Sequence, residues 1–323
     1  MIEAILDPNI VEGYLVDASN ISGQATGLFR PSSTEEVSEV VRYCQQHSIP
    51  LTVTAQRTST TGGPVPTEGY LLSMENLNQI LSDGEVQAGV LLGELQDKLE
   101  EKGLFFPPDP TSRHECSIGG AISCNASGAR SFRYGATRDW IEALEVVFPD
   151  GSIQIVDRTT RIPSDWPSIH WTPPKVKTAA GYEPSGNLLD LMIGQEGTLG
   201  IITKAWLRLI DLPTEVVGMI VFFPDLESCL SFVAIAKEGA ERPGQRAEKD
   251  ALSPRAIEFF DRKSMKLIRQ QVSDIPSQAE YALFLEVEEG EESNLEQYFD
   301  AMEDCNALVD DIIVAEDEKG RRR

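Results

Sequence analysis

The sequence predicts an α+β fold in two parts, on three observations. Helical and strand periodicities alternate along the chain, with no internal repeat. The first half carries two segments of glycine and hydroxyl residues, too polar for a core and too rich in small residues for a helix. Beyond residue 212 charge accumulates: 25 acidic residues against 13 basic ones, half of a net charge of −24 on about a third of 323 residues. With Asp211-Leu212-Pro213 as the break, the expected domains are 1–212 and 213–323.

The elements follow in order. Ser33 and Glu36 form a capping-box pattern, and Val37, Val40, Val41 and Cys44 recur at helical spacing, so a helix begins there and stops between His47 and Pro50. Leu51-Thr52-Val53-Thr54 has strand character. Residues 55–64, Ala-Gln-Arg-Thr-Ser-Thr-Thr-Gly-Gly-Pro, form a loop that exposes its backbone. Strands are expected at 70–74 and 85–90, and an amphipathic helix at 92–100 closed by Gly103. Residues 106–135 are turn-rich and irregular, 144–148 and 152–156 form a hairpin around Pro149-Asp150-Gly151, and 157–187 are loop-like. A glycine-punctuated turn at 194–200 leads into a strand at 201–209. Past the break, strands at 216–223 and 281–287, an element opening at Ile257, and helices at 226–240 and 295–305 predict a sheet covered by helices on one face.

Composition removes several function classes. Hydrophobic residues make up 41% and charged residues 25%, an ordinary globular balance. No apolar run approaches the ~18 residues of a membrane span. The opening residues lack a basic stretch followed by an apolar one, so no secretory signal is expected. A cytoplasmic location follows, with peripheral membrane attachment through a partner left open. The negative field repels nucleic acid, and Arg321-Arg322-Arg323 is the only basic run. Five cysteines without a C-x-x-C spacing argue against a disulfide framework or zinc knuckle, and His47, His114 and His170 lack metal-ligand spacing.

Chemistry concentrates between Phe105 and Arg138. Pro107, Pro108 and Pro110 stiffen the backbone, and Gly119-Gly120 removes two side chains so that a ligand can approach main-chain N–H groups. Asn125, Ser127 and Gly128 repeat the arrangement. With residues 57–63 these segments make a cradle of N–H donors suited to a dinucleotide pyrophosphate. Neither is a Walker motif nor a G-x-G-x-x-G turn after the first strand, so a Rossmann site is not indicated.

Taken in order and spacing, these segments resemble the PCMH-type (vanillyl-alcohol-oxidase) FAD-binding domain, and within it the D-lactate dehydrogenase and glycolate oxidase branch. The residues that carry the likeness are Arg30-Pro31, Ser33-x-x-Glu36-Val37, Thr58 through Gly63, Pro107-Pro108-Asp109-Pro110, Ser117-Ile118-Gly119-Gly120, Asn125-Ala126-Ser127-Gly128, Arg133-Tyr134-Gly135, Ala180-Gly181-Tyr182 and residues 194–202. The likeness runs over residues 27–212. It implies a two-subdomain PCMH-type FAD-binding domain followed by a partial α+β cap domain. It also implies an FAD-dependent oxidoreductase acting on a small 2-hydroxy acid such as D-lactate or glycolate, with an electron acceptor or partner subunit left open.

The resemblance assigns roles residue by residue. Thr58, Ser59, Thr60, Thr61 and Gly62 would form the pyrophosphate loop. Pro108, Asp109, Ser117, Ile118, Gly119 and Gly120 would contact the pyrophosphate and ribityl side, and Asn125 and Gly128 would pack near the flavin. Glu196, Gly200, Ile201 and Ile202 would border the adenosine. No histidine stands where covalently flavinylated relatives place one, so FAD is expected to bind noncovalently. Arg57 stands where relatives carry glycine. It would either add a charge-assisted contact to phosphate or occupy a left-handed position at about 1–2 kcal/mol. Relatives continue into a His-x-Gly-Asp-Gly-Asn-x-His segment that supplies the catalytic base and a metal site. On this likeness the chain stops mid-domain, and no catalytic residue or metal ligand is assigned in it. Two alternatives stay open: an FAD-binding subunit that works with a second polypeptide, or a fragment that binds no flavin.

Other conspicuous residues have plainer expectations. Cys116 and Cys124 are expected as small buried residues near the cofactor, and His114 as a solvent-facing loop residue. Tyr134 and Tyr182 would line the flavin ring or serve as core anchors. Trp166 and Trp171 would pin a loop. The acidic stretch 286–292 is expected as a solvated surface, and Arg133 and Arg138 in ion pairs with Asp139 or Glu142.

Overall fold

The computed structural model describes residues 2–167, 172, 174, 178, 181–184, 186–239, 252–271, 275–289 and 295–315. The expectations for His170, Trp171, Ala180, residue 240, the 290–292 end of the acidic stretch and the basic run at 321–323 lie outside these residues. The chain divides into two compact units. One is Met1–Ser127 with Ala136–Asp211; the other is Gly128–Gly135 with Leu212–Arg323.

The first unit holds strands β1 (Gly27–Phe29), β2 (Leu51–Thr54), β3 (Tyr70–Ser73), β4 (Glu85–Gln87), β5 (Leu104–Phe105), β6 (Ile141–Val147), β7 (Ile153–Asp157), β8 (Ile201–Leu207) and β9 (Ile210–Asp211). β1, β3 and β2 form a parallel sheet in that order, with Leu28 beside Leu71 and Val53 beside Leu72. The Thr34–Gln46 helix covers one face. It starts where predicted: Ser33 Oγ accepts from the Glu36 amide at 3.2 Å. The Glu36 carboxylate reaches back one residue further than in a standard box, accepting from the Ser32 amide at 2.6 Å, and this bond holds its carboxyl below the usual range. Val37, Val40, Val41 and Cys44 bury this helix against Phe29 and Leu72. Leu28 and Leu71 point to the other face, where the N-terminal segment covers them through Val11, Ile5, Tyr14 and Leu15. That covering carries Tyr14 and Asp17 to the loop following β2, where the Ala18 amide donates to the Arg57 carbonyl at 3.1 Å.

β4, β8, β6 and β7 form an antiparallel sheet in that order. The β6–β7 hairpin turns at Pro149-Asp150-Gly151, with Gly151 at φ +76°. Glu145 on β6 ties this sheet to the helix of the first: it accepts from Thr34 Oγ1 at 2.6 Å, Thr203 Oγ1 at 2.8 Å and Lys204 Nζ at 3.2 Å. Burial opposes its charge, but these three donors outweigh burial and hold the carboxyl below its ordinary value. A lowered folded-state value means stabilisation that is present above the unfolded carboxylate range and lost as pH falls through the folded value. Glu145→Gln is therefore expected to lower stability by about 1–2 kcal/mol at neutral pH, with the deficit closing below about pH 4, in urea titrations at the two pH values.

The second unit holds β10 (Glu215–Phe223), β11 (Ala256–Phe260), β12 (Tyr281–Glu289) and β13 (Ile313–Ala315), antiparallel in the order β11-β12-β10-β13. Val217, Met219, Val221 and Phe223 of β10, with Leu283, Leu285 and Val287 of β12, meet Cys229, Phe232 and Ala236 of the Leu226–Gly239 helix and Tyr298 and Met302 of the Leu295–Asp304 helix. The expectation of helices on one face needs correction. Phe222 and Ala282 pack on the opposite face with Met265 of the Arg262–Ile268 helix and with Phe260. Consecutive phenylalanines at 222 and 223 belong to a strand buried on both sides.

The acidic stretch also differs from expectation. Glu286 and Glu288 share the Ala282 face of β12, and their side chains are only 13% and 11% exposed. Arg255 Nε donates to Glu286 at 2.8 Å, and its Nη1 lies 3.4 Å from Glu288. Arg133, from the Gly128–Gly135 segment, pairs with Glu288 at 3.2 Å rather than with Asp139 or Glu142. Tyr134 donates its hydroxyl to Glu288 at 2.5 Å; burial first, then that carboxylate, pushes the phenol strongly upward. Tyr134 is thus a core anchor with a satisfied hydroxyl.

Candidate functional site

The first unit contains a cleft of about 350 Å³ at the carboxyl end of β2, the end of a parallel sheet where ligands bind. Three stretches of chain supply most of its lining, with residues drawn from 53–64, 112–126 and 196–202, joined by Met74 and Ala88. Arg57, Thr58, Ser59, Thr60, Thr61, Ser117, Gly119, Gly120, Glu196, Gly200, Ile201 and Ile202, all anticipated from the sequence, meet there.

The loop after β2 leaves its backbone open at the centre. Among the described residues, the amides of Thr58, Ser59 and Thr60 have no hydrogen-bond acceptor. Ser59 Oγ instead takes the Thr61 amide at 3.2 Å and lies 3.0 Å from Thr61 Oγ1. Arg57 is left-handed at φ +57°, which settles its backbone geometry. Its guanidinium is engaged within the protein: Nη1 donates to the Ala55 carbonyl at 2.6 Å and to Glu75 Oε1 at 2.9 Å, and the group lies 4.5 Å above the Tyr14 ring.

The Ser117-Ile118-Gly119-Gly120 stretch corrects the expected irregular region. It opens a helix, Ile118–Ser123, capped by Ser117 Oγ, which accepts from the Gly120 amide at 3.2 Å. The Gly119 amide donates to the Ala88 carbonyl at 2.8 Å. Neither amide is therefore available to a ligand as the sequence suggested. Gly119 is required by close packing instead: a Cβ there would lie 2.7 Å from Ala88 Cβ.

The turn at 194–200 docks on the end of this helix, with the Gly194 amide on the Ile122 carbonyl at 3.0 Å and the Glu196 amide on the Ser123 carbonyl at 2.9 Å. Buried Gln195 braces it from inside, accepting from the Leu199 amide at 2.7 Å and donating to the Gly200 carbonyl at 2.9 Å. Glu196 sits at φ +53° and closes against the loop, since a Cβ on Gly63 would meet its Oε2 at 3.3 Å.

Seven anticipated residues do not line the cleft. Gly62 donates its amide to Asp17 at 3.0 Å. The Pro108 carbonyl accepts from the buried Gln96 amide at 2.7 Å, with Asp109 half-buried beside it. Ile118 is fully buried. Asn125, at φ +46°, accepts the Arg138 amide at 2.9 Å. Gly128 and Tyr134 belong to the second unit. Arg138 pairs with Asp190 rather than Asp139 or Glu142.

The sequence did not point to Thr54, Met74, Ala88 or Ser112, all of which line the cleft; Cys116 and Cys124, expected near the cofactor, line it as well. The position of Thr54 and Met74 just at or past the ends of parallel strands is the signal that could have found them. Thr54 Oγ1 is buried with no partner among the described residues. Cys124 is exposed, against expectation, whereas Cys116 is buried. Enclosure by surrounding protein, with Glu196 nearby, pushes the Cys124 thiol up to about 11, so it stays protonated at neutral pH. His114 is exposed and away from the cleft lining. Tyr182 is exposed and shares a 2.6 Å hydrogen bond with Thr198, so it is not a core anchor. Trp166 meets Phe148 edge-on at 6.5 Å, which pins its loop.

A cradle of open amides beside an orphaned buried hydroxyl suits a pyrophosphate-bearing cofactor. Comparison with known proteins points the same way. The FAD binding domain family matches residues 25–157, and the C-terminal domain of FAD linked oxidases matches 212–323. The chain belongs to the PCMH-type FAD flavoproteins, of the α+β two-domain architecture that the two matches define, and its cofactor is FAD. It is 35% identical over 268 residues to a D-lactate dehydrogenase of Anaerostipes hadrus, a stretch that is 80% of this chain and 50% of that protein. It is 30% identical to glycolate oxidase subunit GlcD of Bacillus subtilis (84% and 54%) and 31% identical to a D-2-hydroxyglutarate dehydrogenase of Stutzerimonas stutzeri (94% and 61%). The chain thus spans between half and about three-fifths of the length of these relatives. Among solved structures, alkyldihydroxyacetonephosphate synthase shares the fold at a TM-score of 0.69 and 18% identity, covering 94% of this chain and 58% of that one. No helix among the described residues is long and apolar enough to cross a membrane.

Proposed function

We propose that this chain binds FAD noncovalently in the cleft of its first unit, and that the whole protein oxidises a small 2-hydroxy acid. The observation that supports it most is the loop of three amides, Thr58, Ser59 and Thr60, with no protein acceptor, beside the orphaned Thr54 hydroxyl. Those amides would meet the pyrophosphate oxygens without rearrangement, because the loop is fixed by protein contacts on both sides. Thr61, Ser117, Gly120, Glu196 and Gly200 would border the cofactor along the same cleft. Val53, Met74, Ala88 and Ile202 give that cleft apolar walls. Cys124, held as a thiol, is suited neither to accept a proton nor to attack. Bound FAD supplies the acceptor for a hydride from the substrate carbon.

The substrate class rests on the relatives. Lactate, glycolate and 2-hydroxyglutarate, in the names of three of them, share a hydroxyl next to a carboxylate. The purified chain mixed with excess FAD and passed over a desalting column is expected to emerge yellow, and to release the flavin on denaturation. A colourless protein overturns the cofactor reading, and flavin that stays attached after denaturation overturns the noncovalent one. Dye-linked turnover of D-lactate, glycolate and D-2-hydroxyglutarate by the whole protein tests the substrate class; activity of that protein on none of them overturns it.

A further inference from the structure

The cleft loop is held at both ends, by Tyr14, Asp17 and Ala18, which precede the matched FAD-binding segment, and by Glu75 within it, and these contacts have a common effect. At the downstream end, Asp17 is 6% exposed. Its Oδ2 accepts the Gly62 amide at 3.0 Å, while Oδ1 takes the Ser19 amide at 2.9 Å and the Ser19 hydroxyl. Gly62 is left-handed at φ +81°, and a side chain there would meet Ile21 Cδ1 at 3.0 Å. At the upstream end, the Ala18 amide ties the Arg57 carbonyl at 3.1 Å. Glu75 takes the Arg57 guanidinium at 2.9 Å on one oxygen and the Tyr14 hydroxyl at 2.8 Å on the other. Burial first, then that carboxylate, raises the Tyr14 phenol, so it remains a donor.

Both pinned residues sit in conformations that an unconstrained loop leaves readily. Arg57 at positive φ is disfavoured by about 1–2 kcal/mol, and its carbonyl, guanidinium and ring contacts all oppose its relaxation. Of the four residues between the pins, Thr58, Ser59 and Thr60 keep open amides, while Thr61 donates to Ser59 Oγ. Resting on the FAD reading above, we propose that Asp17 and the Tyr14–Glu75 pair are positioning residues for the cofactor: they fix the two left-handed ends of the loop so that the Thr58, Ser59 and Thr60 amides are preset for the pyrophosphate. Glu75 does this through Arg57, and so compensates locally for a non-glycine residue at that position.

The test measures FAD affinity of the full chain by flavin-fluorescence quenching, alongside the melting temperature without FAD. Asp17→Ala is expected to weaken FAD binding about tenfold, and Asp17→Asn less, since the amide keeps one acceptor oxygen. Glu75→Ala is expected to weaken binding by about tenfold in the Arg57 background and by less than about twofold in Arg57→Gly, because glycine takes the left-handed conformation unaided. A purely structural role would lower the apo melting temperature and leave the affinity of the folded fraction unchanged, and that result overturns the proposal. Equal Glu75→Ala effects in both backgrounds overturn the Arg57 route. Wild-type chain that binds no FAD sinks the cofactor reading itself, and is thereby distinguished from wild-type that binds while the variants bind equally well.

Discussion

Replacing Gly119 with alanine is expected to destabilise the first unit by about 2–3 kcal/mol and to lower its affinity for FAD. The new Cβ would lie 2.7 Å from Ala88 Cβ and 2.8 Å from the Ala88 carbonyl oxygen. Both of those atoms belong to or hang directly on backbone, so neither can swing aside. Retreat of the helix would stretch the Gly119 amide bond to that same carbonyl, now 2.8 Å. Gly120→Ala is the matched comparison. Its Cβ meets Ser117 Oγ at 3.2 Å and nothing closer, and alanine is better than glycine inside a helix by about 0.5–1 kcal/mol. Urea unfolding of the two variants should therefore separate widely, and equal midpoints would show that the 118–123 helix does not depend on its approach to Ala88.

Arg138→Met should cost about 3 kcal/mol in the same measurement. The guanidinium is 16% exposed and forks onto the Leu188–Met192 helix and the residue that ends it. It donates to the Asp190 carbonyl and to the Ile193 carbonyl, the latter at 2.6 Å, and lies 3.4 Å from the Asp190 carboxylate. Burial lowers its pKa, with Asp190 opposing, and the group stays charged. Methionine fills the space but leaves both carbonyls without a donor. Arg158, 3.2 Å from Asp190, keeps that carboxylate paired, which limits the loss. Arg138→Lys should recover little, since an ammonium on a shorter reach does not reproduce the fork. Full recovery by lysine would show that charge alone, rather than the fork geometry, holds the end of the Leu188–Met192 helix.

How far the fold could be read from the sequence depended on whether an element carried its own signal. The Thr34–Gln46 helix announced its cap in Ser33 and its buried face in Val37, Val40, Val41 and Cys44. The β6–β7 hairpin was legible because Pro-Asp-Gly fixes a turn locally. The Ile118–Ser123 helix was not: two glycines argue for loop, and the helix exists because Ser117 caps it and Ala88 packs against the glycine face. Glu286 and Glu288 looked solvated because their cations come from residues 133 and 255, far off in the chain. The cleft was legible where glycine and hydroxyl residues cluster and silent where it is walled by ordinary apolar side chains such as Met74 and Ala88. Gly119 makes room for Ala88, a reason other than the approach of a ligand to its amide, whereas Gly120 has no such close neighbour.

The eight residues Gly128–Gly135 leave the first half of the chain to join the second unit, and return. A cut at residue 212 would therefore not yield two self-sufficient pieces. The shorter product would keep Glu288 but lose the guanidinium of Arg133 and the hydroxyl of Tyr134 that meet it. The longer one would carry those donors on a strap with nothing to fasten to. Biosynthesis must then finish the later strands before the earlier strap can settle, so a part made later completes one made earlier.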